Sequence, residues 1–498
     1  MGKRHDYGVD TGRLNTALAE AAQQIVYARY RDDRPDEFGA ELLAISEIDR
    51  AYLVMLAEEH IADVTAARRM LRQIDELRGS RFAAVRDRPM PRGLYLAYES
   101  YLREVLGDEV GGIAHAGRSR NDLNAAVLRL RAREPYAALL TAAARLCEEL
   151  LAGASRYRDV IMPAYTHGQA AVPVTYGHYL AALACPLTRA IDNLLLAGAE
   201  LETNPLGAGA AGGTSIPVNA RRTTALLGFA RPAANSIDAV ASRDFALQML
   251  SAATILGVAL TRAAHDFSVW STEEFGFLHV PDDLVGSSSM MPQKRNPFLL
   301  EHVQGKAAGC LGSFAGAVSA MLTAPYTNAI AVGTEGVTHL WAGLQNITDA
   351  TDLLRLLVAG TEPMGERMLR RAEDGNTVAT HLAELLVRSG VAFRTAHHRV
   401  GKMVTVALRN AESLPTVAAE SLRGEFDGTS IDASGLTPAT VVRAARYGGG
   451  PGSATTPERL GELGSELLRL RRVLTGRQER WERARYLLNE AVQRAEIP

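Results

Sequence analysis

The chain has 498 residues, of which 47% are hydrophobic and 22% charged, and its formal net charge is −2. A length of this order accommodates about two to four structural units. The near-neutral charge gives no electrostatic reason to expect nucleic acid or an anionic membrane as a partner. The three cysteines, Cys147, Cys185 and Cys310, have spacings that match no metal site or disulfide framework. We therefore expect a globular protein with reduced thiols.

The ends of the chain and its apolar runs bear on its location. The first residues, Met1–Tyr7, are charged and lack the apolar core of a secretory signal. We find no uninterrupted apolar run long enough to cross a bilayer. Both features predict a cytoplasmic protein without a membrane partner.

Helical periodicity dominates the pattern of apolar residues. Between Leu139 and Leu151 apolar residues recur every three or four positions, which predicts one buried helix face. Residues Ser236–Thr272 predict one very long buried helix, and residues Pro297–Leu322 predict a second. Long helices that are apolar on more than one face usually pack in a bundle or across subunits. Alternating strand patterns are scarce, so the predicted fold class is all-α.

The composition divides the chain into three predicted helical domains. The first covers residues 1–116, a central long-helix bundle covers 117–372, and a C-terminal helical domain covers 373–498. The two outer regions are more charged, whereas the centre is rich in alanine and leucine. Residues Gly448–Ser453 are interpreted as a flexible linker between terminal helices, and the arginines Arg469–Arg472 as a solvated helix face.

Three segments are polar where the neighbouring sequence is apolar. The first, His115–Asp122, places an arginine beside an asparagine, a combination that offers a fork for a carboxylate together with amide donors. The second, Tyr165–Gln169, contains His167, which we expect at a loop-to-helix junction. A lone histidine there is more often a structural hydrogen-bonding residue than a catalyst.

The third segment, Gly286–Pro297, combines a hydroxyl run with an ammonium and a carboxamide. Its small residues and two prolines disfavour a helix. Its polar groups are those needed to take a proton from carbon and to bind the adjacent carboxylate. Such a loop could close over a ligand. The alternative interpretation is a serine-rich surface loop.

A glycine-rich segment, Gly207–Gly212, fits the pattern G-x-G-x-x-G of dinucleotide-binding proteins. That pattern requires a strand before it and a helix after it. Here the preceding residues favour a helix and Pro217 follows shortly afterwards. We therefore expect no nicotinamide binding, and the dehydrogenase interpretation is disfavoured.

Together the three polar segments resemble the fumarase/aspartase superfamily and, within it, the argininosuccinate lyases. The resemblance continues through Asn235–Phe245, Trp270–Phe275, Ala379–Ala383 and Phe393–His398. It implies an all-helical protomer whose central helices assemble into a homotetramer, with each active site built from three polypeptides. It also implies that neither a metal nor an organic cofactor takes part.

The reaction implied by the resemblance is the reversible β-elimination of an amine from an N-substituted L-aspartate, which yields fumarate. The carbanion survives only if its charge spreads into the carboxylate, and fixed donors must stabilise this aci-carboxylate intermediate. The resemblance implies Ser288 as the base and Lys294 as a donor to that carboxylate. It also implies that His167, paired with Glu301, orients the departing nitrogen or relays a proton to it. The implied substrate-binding residues are Ser119, Arg120, Asn121, Thr166, Gln169, Ser289, Asn296 and Tyr326.

The sequence departs from the pattern of argininosuccinate lyases at positions that hold the substrate. Gly93–Tyr95 stands where an acidic-x-His element is expected, and Ala331 and Thr334 replace a glutamine and a lysine downstream of Tyr326. Loss of a cation and an amide would weaken a site for a guanidino amino acid. We expect the fumarate half of the site to be kept and the amine half to be changed, as for an aminocarboxylic acid such as ethylenediamine-N,N′-disuccinate. Argininosuccinate is the alternative substrate, and reuse as a structural protein without catalysis is a third possibility.

Overall fold

The computed structural model describes residues 20–27, 35–86, 88, 90, 93–423, 433 and 435–496, so the charged segment Met1–Tyr7 lies outside it. Within these ranges the chain is predominantly helical, and its strands form only two-stranded sheets. The prediction of an all-α fold is confirmed.

The N-terminal side contains six helices and a hydrophobic core to which the second helix contributes Leu42, Ile48 and Tyr52. Asp63 begins the third helix by accepting a hydrogen bond from the N–H of Ala66 at 2.9 Å. The helices are α1 (Glu20–Val26), α2 (Pro35–Glu58), α3 (Val64–Gly79), α4 (Ala83–Arg86), α5 (Leu94–Leu106) and α6 (Asp108–Gly111).

Five long helices and several short elements form the central region. In chain order they are α7 (Arg120–Arg156), β1 (Ile161–Thr166), β2 (Gln169–Thr175), α8 (Tyr176–Ala197), β3 (Thr203–Asn204), α9 (Ala220–Leu226), β4 (Arg231–Pro232), α10 (Ser236–Ala241), α11 (Asp244–Trp270), β5 (Leu278–His279), β6 (Gly286–Ser287), β7 (Arg295–Asn296), α12 (Phe298–Met321), α13 (Val337–Gly360) and β8 (Glu362–Pro363). Helices α7, α8, α11, α12 and α13 pack together as the bundle. Strand β1 pairs with β2, β5 with β8 and β6 with β7, all antiparallel, whereas β3 and β4 are parallel.

The two long helices predicted in the centre have different outcomes. The helix expected over Pro297–Leu322 is confirmed as α12. The single helix expected over Ser236–Thr272 is wrong, because the chain breaks at Ser242 and Arg243 between α10 and α11. Ser242 has extended backbone angles, and its hydroxyl donates to the Asp244 carboxylate. Such local side-chain hydrogen bonds compete with helix continuation, and apolar periodicity does not reveal them.

Two segments of the bundle, Tyr176–Glu202 and Asp244–Trp270, are long and apolar enough to cross a membrane by length and composition alone. Charged residues interrupt both segments, Arg189 and Asp192 in the first and Arg262 in the second, so neither is an uninterrupted apolar run. In these segments 56% and 50% of the most apolar window is buried inside the protein. Helices α8 and α11 contact each other and other bundle helices, as core helices do.

The C-terminal region contains a small separate core and a long returning helix. Helices α15 to α18 enclose the small core, whose members include Leu382, Ala396 and Leu414. Helix α20 returns along α7, α8 and α2, and places Leu470 in the central core and Leu488 in the N-terminal core. The elements are α14 (Gly365–Asp374), α15 (Ala379–Arg388), α16 (Phe393–Asn410), α17 (Leu414–Ser421), α18 (Pro438–Ala444), α19 (Pro451–Ala454) and α20 (Pro457–Glu496).

Candidate active site

The first polar segment forms the N-terminus of α7. Ser119 precedes the helix, its hydroxyl accepts from the N–H of Asn121 at 3.3 Å, and its own N–H donates to Asp122 Oδ1 at 2.9 Å. These reciprocal bonds form a capping box. Arg120 is exposed at the first helical position. The start of a long helix beside an exposed guanidinium is an electrostatically favourable place for a carboxylate.

The glycine-rich loop Gly207–Gly212 supports this helix end. Asp122 Oδ2 accepts from the N–H groups of Gly207 and Gly209 at 3.1 and 3.0 Å. Burial raises the pKa of Asp122, while these backbone donors act in the opposite direction. Gly209 has a φ of 61°, and a Cβ there would lie 2.6 Å from the carbonyl oxygen of Gly213. The loop therefore binds a carboxylate of its own chain.

The chain before this loop is helical through Ala197, as expected, and continues as a 3₁₀ helix to Glu202 before the two-residue strand β3 pairs with β4. The side chain of Asn204, the last residue of β3, is buried. It donates to the Thr223 and Thr224 hydroxyls at 2.9 and 3.0 Å. These contacts with a distant helix hold the backbone extended, and local periodicity could not indicate them.

Tyr326, beyond the end of α12, reaches the same region. Its hydroxyl donates to Asp238 Oδ1 at 2.5 Å, and this hydrogen bond raises the pKa of Tyr326. Two residues later, Asn328 Nδ2 donates to Asn121 Oδ1 at 2.8 Å. The predicted residues Ser119, Arg120, Asn121 and Tyr326 are thus brought to one place. We call this the α7 corner, which comprises Ser119–Asp122, Gly207–Gly212, Asp238, Tyr326 and Asn328.

The positions that depart from the argininosuccinate lyase pattern border this corner. Ala331 and Thr334 are half-buried on a π-helical turn, Ala331–Gly336, a conformation that is frequent at functional sites. Gly93 precedes α5 with a φ of 99°, and the Tyr95 hydroxyl lies 3.0 Å from His115 Nδ1. The π-helical turn therefore presents neither a lysine nor a glutamine at the two positions where these residues were expected.

A buried ion pair lies behind the α7 corner. Arg118 Nη2 donates to Asp49 Oδ1 at 2.6 Å, and the two side chains are 0% and 1% exposed. The guanidinium lies over the ring of Tyr52, 4.8 Å from its centroid. Burial alone would lower the pKa of Arg118, but the neighbouring Asp49 and Tyr95 raise it above its ordinary value. The pair fixes the segment that leads into α7 against α2.

The second polar segment is the tip of the hairpin β1–β2. Thr166 pairs with Gln169, and between them His167 and Gly168 form a two-residue turn with φ values of 52° and 75°. Positive φ at both positions is the pattern of a type I′ hairpin turn. The loop-to-helix junction predicted for His167 is therefore wrong. All four residues are exposed.

The third polar segment is the tip of a second hairpin. Gly286 pairs with Asn296 and Ser287 with Arg295, which leaves Ser288–Lys294 as the loop that we call the serine loop. Arg295 anchors its base by an ion pair with Asp282 and a hydrogen bond of 2.6 Å to the Val280 carbonyl.

Two backbone amides in the serine loop converge on one hydroxyl. The N–H groups of Met290 and Met291 donate to Ser288 Oγ at 3.3 and 3.0 Å. Within the described chain, no backbone N–H donates to the hydroxyl of Ser287 or Ser289. Two amide donors stabilise the deprotonated form of a hydroxyl and so favour its ionisation.

The other predicted residues of this region lie within or beside the serine loop. Ser289 and Lys294 are exposed, Asn296 is half-buried in β7, and Glu301 is exposed in the first turn of α12. Across the described ranges, His167 and Glu301 form neither a hydrogen bond nor an ion pair with each other. Nor do these ranges contain a group of three or more His, Cys, Asp or Glu residues suited to hold a metal ion.

The α7 corner and the two hairpin tips lie at opposite ends of the bundle. Helix α7 has 37 residues and spans about 55 Å, with the corner at its start and β1 just after its end. Helix α12 has 24 residues and spans about 36 Å, with the serine loop before its start and Tyr326 after its end. A substrate of a few ångströms cannot contact both ends of one chain.

Several large apolar side chains are exposed on the outward faces of the bundle helices. Ile255 and Val258 of α11 are 57% and 55% exposed, and Leu311 of α12 is 53% exposed. Leu322 and Ile330, near the α7 corner, are 77% and 70% exposed. A set of large apolar side chains on long helices is a surface that association would bury.

Sequence reasoning missed Asp49, Asp238 and Asn328. Asp238 carried a signal, because Asn235–Asp238 has the composition of a helix start and Asn235 accepts from two N–H groups there. Asp49 and Asn328 carried none, since their partners are distant in the sequence.

Comparisons with known proteins define the class. A family described as "Lyase" matches residues 59–312, and one described as "Argininosuccinate lyase C-terminal" matches residues 376–443. The structure of a class II fumarase from Schistosoma mansoni has the same fold, with a TM-score of 0.67, 17% identity and coverage of 80% of this chain and 90% of that chain. The structure of a variant of EDDS lyase with bound fumarate has a TM-score of 0.83 and 28% identity, and covers 100% of this chain and 99% of that chain. These matches identify the chain as a carbon–nitrogen lyase that releases fumarate.

The branch follows from the curated relatives. The argininosuccinate lyase of Methanoculleus marisnigri is 34% identical over 85% of this chain and 87% of its own length. The chain belongs to the argininosuccinate lyase-like branch of the fumarase/aspartase superfamily. The family resemblance inferred from the three polar segments is confirmed.

Proposed function

We propose that the protein catalyses the reversible β-elimination of an amine from an N-substituted L-aspartate, with Ser288 as the base. The observation that carries this assignment is the convergence of the Met290 and Met291 N–H groups on Ser288 Oγ. A free serine hydroxyl is too weak a base to take a proton from carbon, so its alkoxide requires such donors. In the same hairpin, Lys294 and Asn296 supply an ammonium and a carboxamide.

The proposed reaction has two stages. The Ser288 alkoxide first takes the proton from the carbon next to the carboxylate and becomes a hydroxyl. The electron pair left on carbon spreads into that carboxylate, where Lys294 and Asn296 stabilise the charge. The electron pair then returns to form the carbon–carbon double bond as the carbon–nitrogen bond breaks. The amine leaves with its bonding electrons, and His167 with Glu301 orients the nitrogen or relays a proton to it. The succinyl group is bound by Arg120, Asn121, Thr166 and Ser289, and Ser119, Gln169 and Tyr326 also bind the substrate.

We further propose that each site is assembled from different subunits of a homotetramer. The α7 corner lies about 36 Å or more from the serine loop along its own chain, by the rise of α12. An antiparallel arrangement of bundles would bring the corner of one chain beside the serine loop of another. The exposed apolar faces of α11 and α12 support such packing, since association would remove them from water.

Mixed tetramers test this arrangement. Ser288→Ala and Asn121→Ala subunits carrying different affinity tags are co-expressed, and tetramers bearing both tags are isolated and assayed for fumarate release. If the two residues of a site come from different chains, random assembly leaves about one site in four intact. Each variant expressed alone with both tags is the control and should remain nearly inactive. Mixed tetramers no more active than these controls would contradict shared sites.

For the amine, we propose an aminocarboxylic acid of the ethylenediamine-N,N′-disuccinate type. The supporting observations are Ala331 and Thr334 on the π-helical turn beside Tyr326, together with the similarity to EDDS lyase. A guanidino group would lack charged and amide partners at those two positions. Argininosuccinate is the alternative substrate, supported by the curated relatives.

For location, the cytoplasm fits the unpaired state of the three cysteines.

A panel of amines tests the substrate. The protein is incubated with fumarate and, separately, with ethylenediamine, several aminocarboxylic acids and arginine, and adducts are identified by mass. We expect adducts with ethylenediamine and aminocarboxylic acids at rates at least about tenfold above that with arginine, the cost of one unpaired polar contact. Arginine as the sole good partner would establish argininosuccinate as the substrate instead.

A further inference from the structure

We propose that Asn328 is a positioning residue that orients the carboxamide of Asn121 toward the fumarate carboxylate. The inference rests on the proposed function, in which Asn121 binds the succinyl group. It adds to that site a residue outside the three polar segments, on the loop between α12 and the π-helical turn.

The carboxamide of Asn121 is held from two sides. Asn121 Nδ2 donates to the carbonyl of Ala210 at 2.9 Å, and Asn121 Oδ1 accepts from Asn328 Nδ2 at 2.8 Å. A backbone carbonyl can only accept, so Ala210 requires the nitrogen of Asn121 on its side. The oxygen must then face Asn328, which in turn must present its own nitrogen. The carbonyl of Ala210 thus determines the orientation of both amides.

This orientation matters for an anionic ligand. With one N–H of Asn121 bound to Ala210, the second is left to donate to a carboxylate at the start of α7. If the amide rotated, its oxygen would face the carboxylate and repel it. Ala210 and Asn328 both oppose that rotation, because each would be left with a mismatched partner.

Asn328 also lies between Asn121, which binds the succinyl group, and the π-helical turn, where the residues expected to bind the amine are changed. A Cβ on Gly333 would lie 3.2 Å from Asn328 Oδ1, so the glycine of the π-helical turn leaves the space that Asn328 occupies. Tyr326, two residues earlier, contacts Asp238 on the other flank. If the π-helical turn moved when an amine bound, the side chain of Asn328 would transmit that movement to Asn121. Asn328 is only half-buried, so its replacement opens no core cavity.

The test compares Asn328→Asp, Asn328→Ala, Asn121→Ala and the double variant Asn121→Ala/Asn328→Ala. The affinity for fumarate is measured by titration calorimetry, and KM and kcat are measured for elimination. Asn328→Asp keeps the shape but places a carboxylate against Asn121 Oδ1. We expect it to weaken fumarate binding by about tenfold or more, and Asn328→Ala by less, with kcat changed by less than about threefold. The double variant should bind fumarate no more weakly than Asn121→Ala alone.

Two results would overturn the inference. One is an affinity of Asn328→Asp for fumarate within about twofold of that of the unaltered protein. Such a change corresponds to less free energy than one hydrogen bond contributes. The other is full additivity of Asn328→Ala with Asn121→Ala, which would mean that the two residues act independently. Failure of the proposed function would show differently, since the unaltered protein would then release no fumarate from any N-substituted aspartate.

Discussion

Replacing Ser288 by alanine is expected to lower kcat for fumarate release by about a thousandfold or more, with little change in KM. The hydroxyl that accepts from the Met290 and Met291 N–H groups is then absent, and no other described side chain receives the same pair of donors. The carboxylate-binding groups Lys294 and Asn296 remain, so substrate affinity should persist. Fumarate formation is followed by its ultraviolet absorbance.

The matched control is Ser287→Ala. Ser287 is the preceding residue of the same hairpin, where it pairs with Arg295 through the backbone, and its side chain is exposed. We expect its kcat to stay within about threefold of the unaltered protein, because surface substitutions away from special contacts have small effects. Near-normal turnover by Ser288→Ala would exclude Ser288 as the base.

Replacing Asp49 by alanine is expected to reduce the free energy of unfolding by about 3–5 kcal/mol. The substitution leaves the Arg118 guanidinium buried without its carboxylate, and two of its nitrogens, Nε and Nη1, already lack hydrogen-bond partners. The start of α7 should lose its fixed position as well, so activity should fall together with stability. The measurement is the denaturant midpoint at a fixed protein concentration, because association contributes to apparent stability.

Two controls separate this effect from charge removal in general. Asp159→Ala breaks an exposed pair with Arg158, whose side chains are 91% and 52% exposed, and should change stability by about 0–1 kcal/mol. The double variant Asp49→Leu/Arg118→Met removes both buried charges and should regain most of the loss. If Asp49→Ala lowered the free energy of unfolding as little as Asp159→Ala, the buried ion pair would not stabilise the α7 corner.

Local chemistry explains what could be predicted from the sequence. Ser119 and Asp122 stand at the spacing of a capping box, and the start of α7 forms there. The prolines and small residues of the serine loop disfavoured a helix, and the segment forms a hairpin. The prediction of a loop-to-helix junction at His167 was wrong because the two-residue turn requires positive φ at His167 and Gly168. The preceding Thr166 does not indicate such φ values.

Long-range contacts account for what could not be predicted. Asn328 and Asn121 are 207 residues apart, Tyr326 and Asp238 are 88 apart, and Arg118 and Asp49 are 69 apart. Each pair meets only because the folded chain brings segments that are remote in the sequence together. The same bundle separates the corner from the serine loop, a consequence of the lengths of α7 and α12 that a list of motifs does not contain.

In the proposed function, fumarate binds where the serine loop of one subunit meets the α7 corner of another. A crystal structure of the Ser288→Ala protein grown with fumarate tests it most directly. We predict fumarate in contact with Lys294 and Asn296 of one subunit, with Asn121 of a second and with His167 of a third. Fumarate bound within a single chain, or away from the serine loop, would contradict the account.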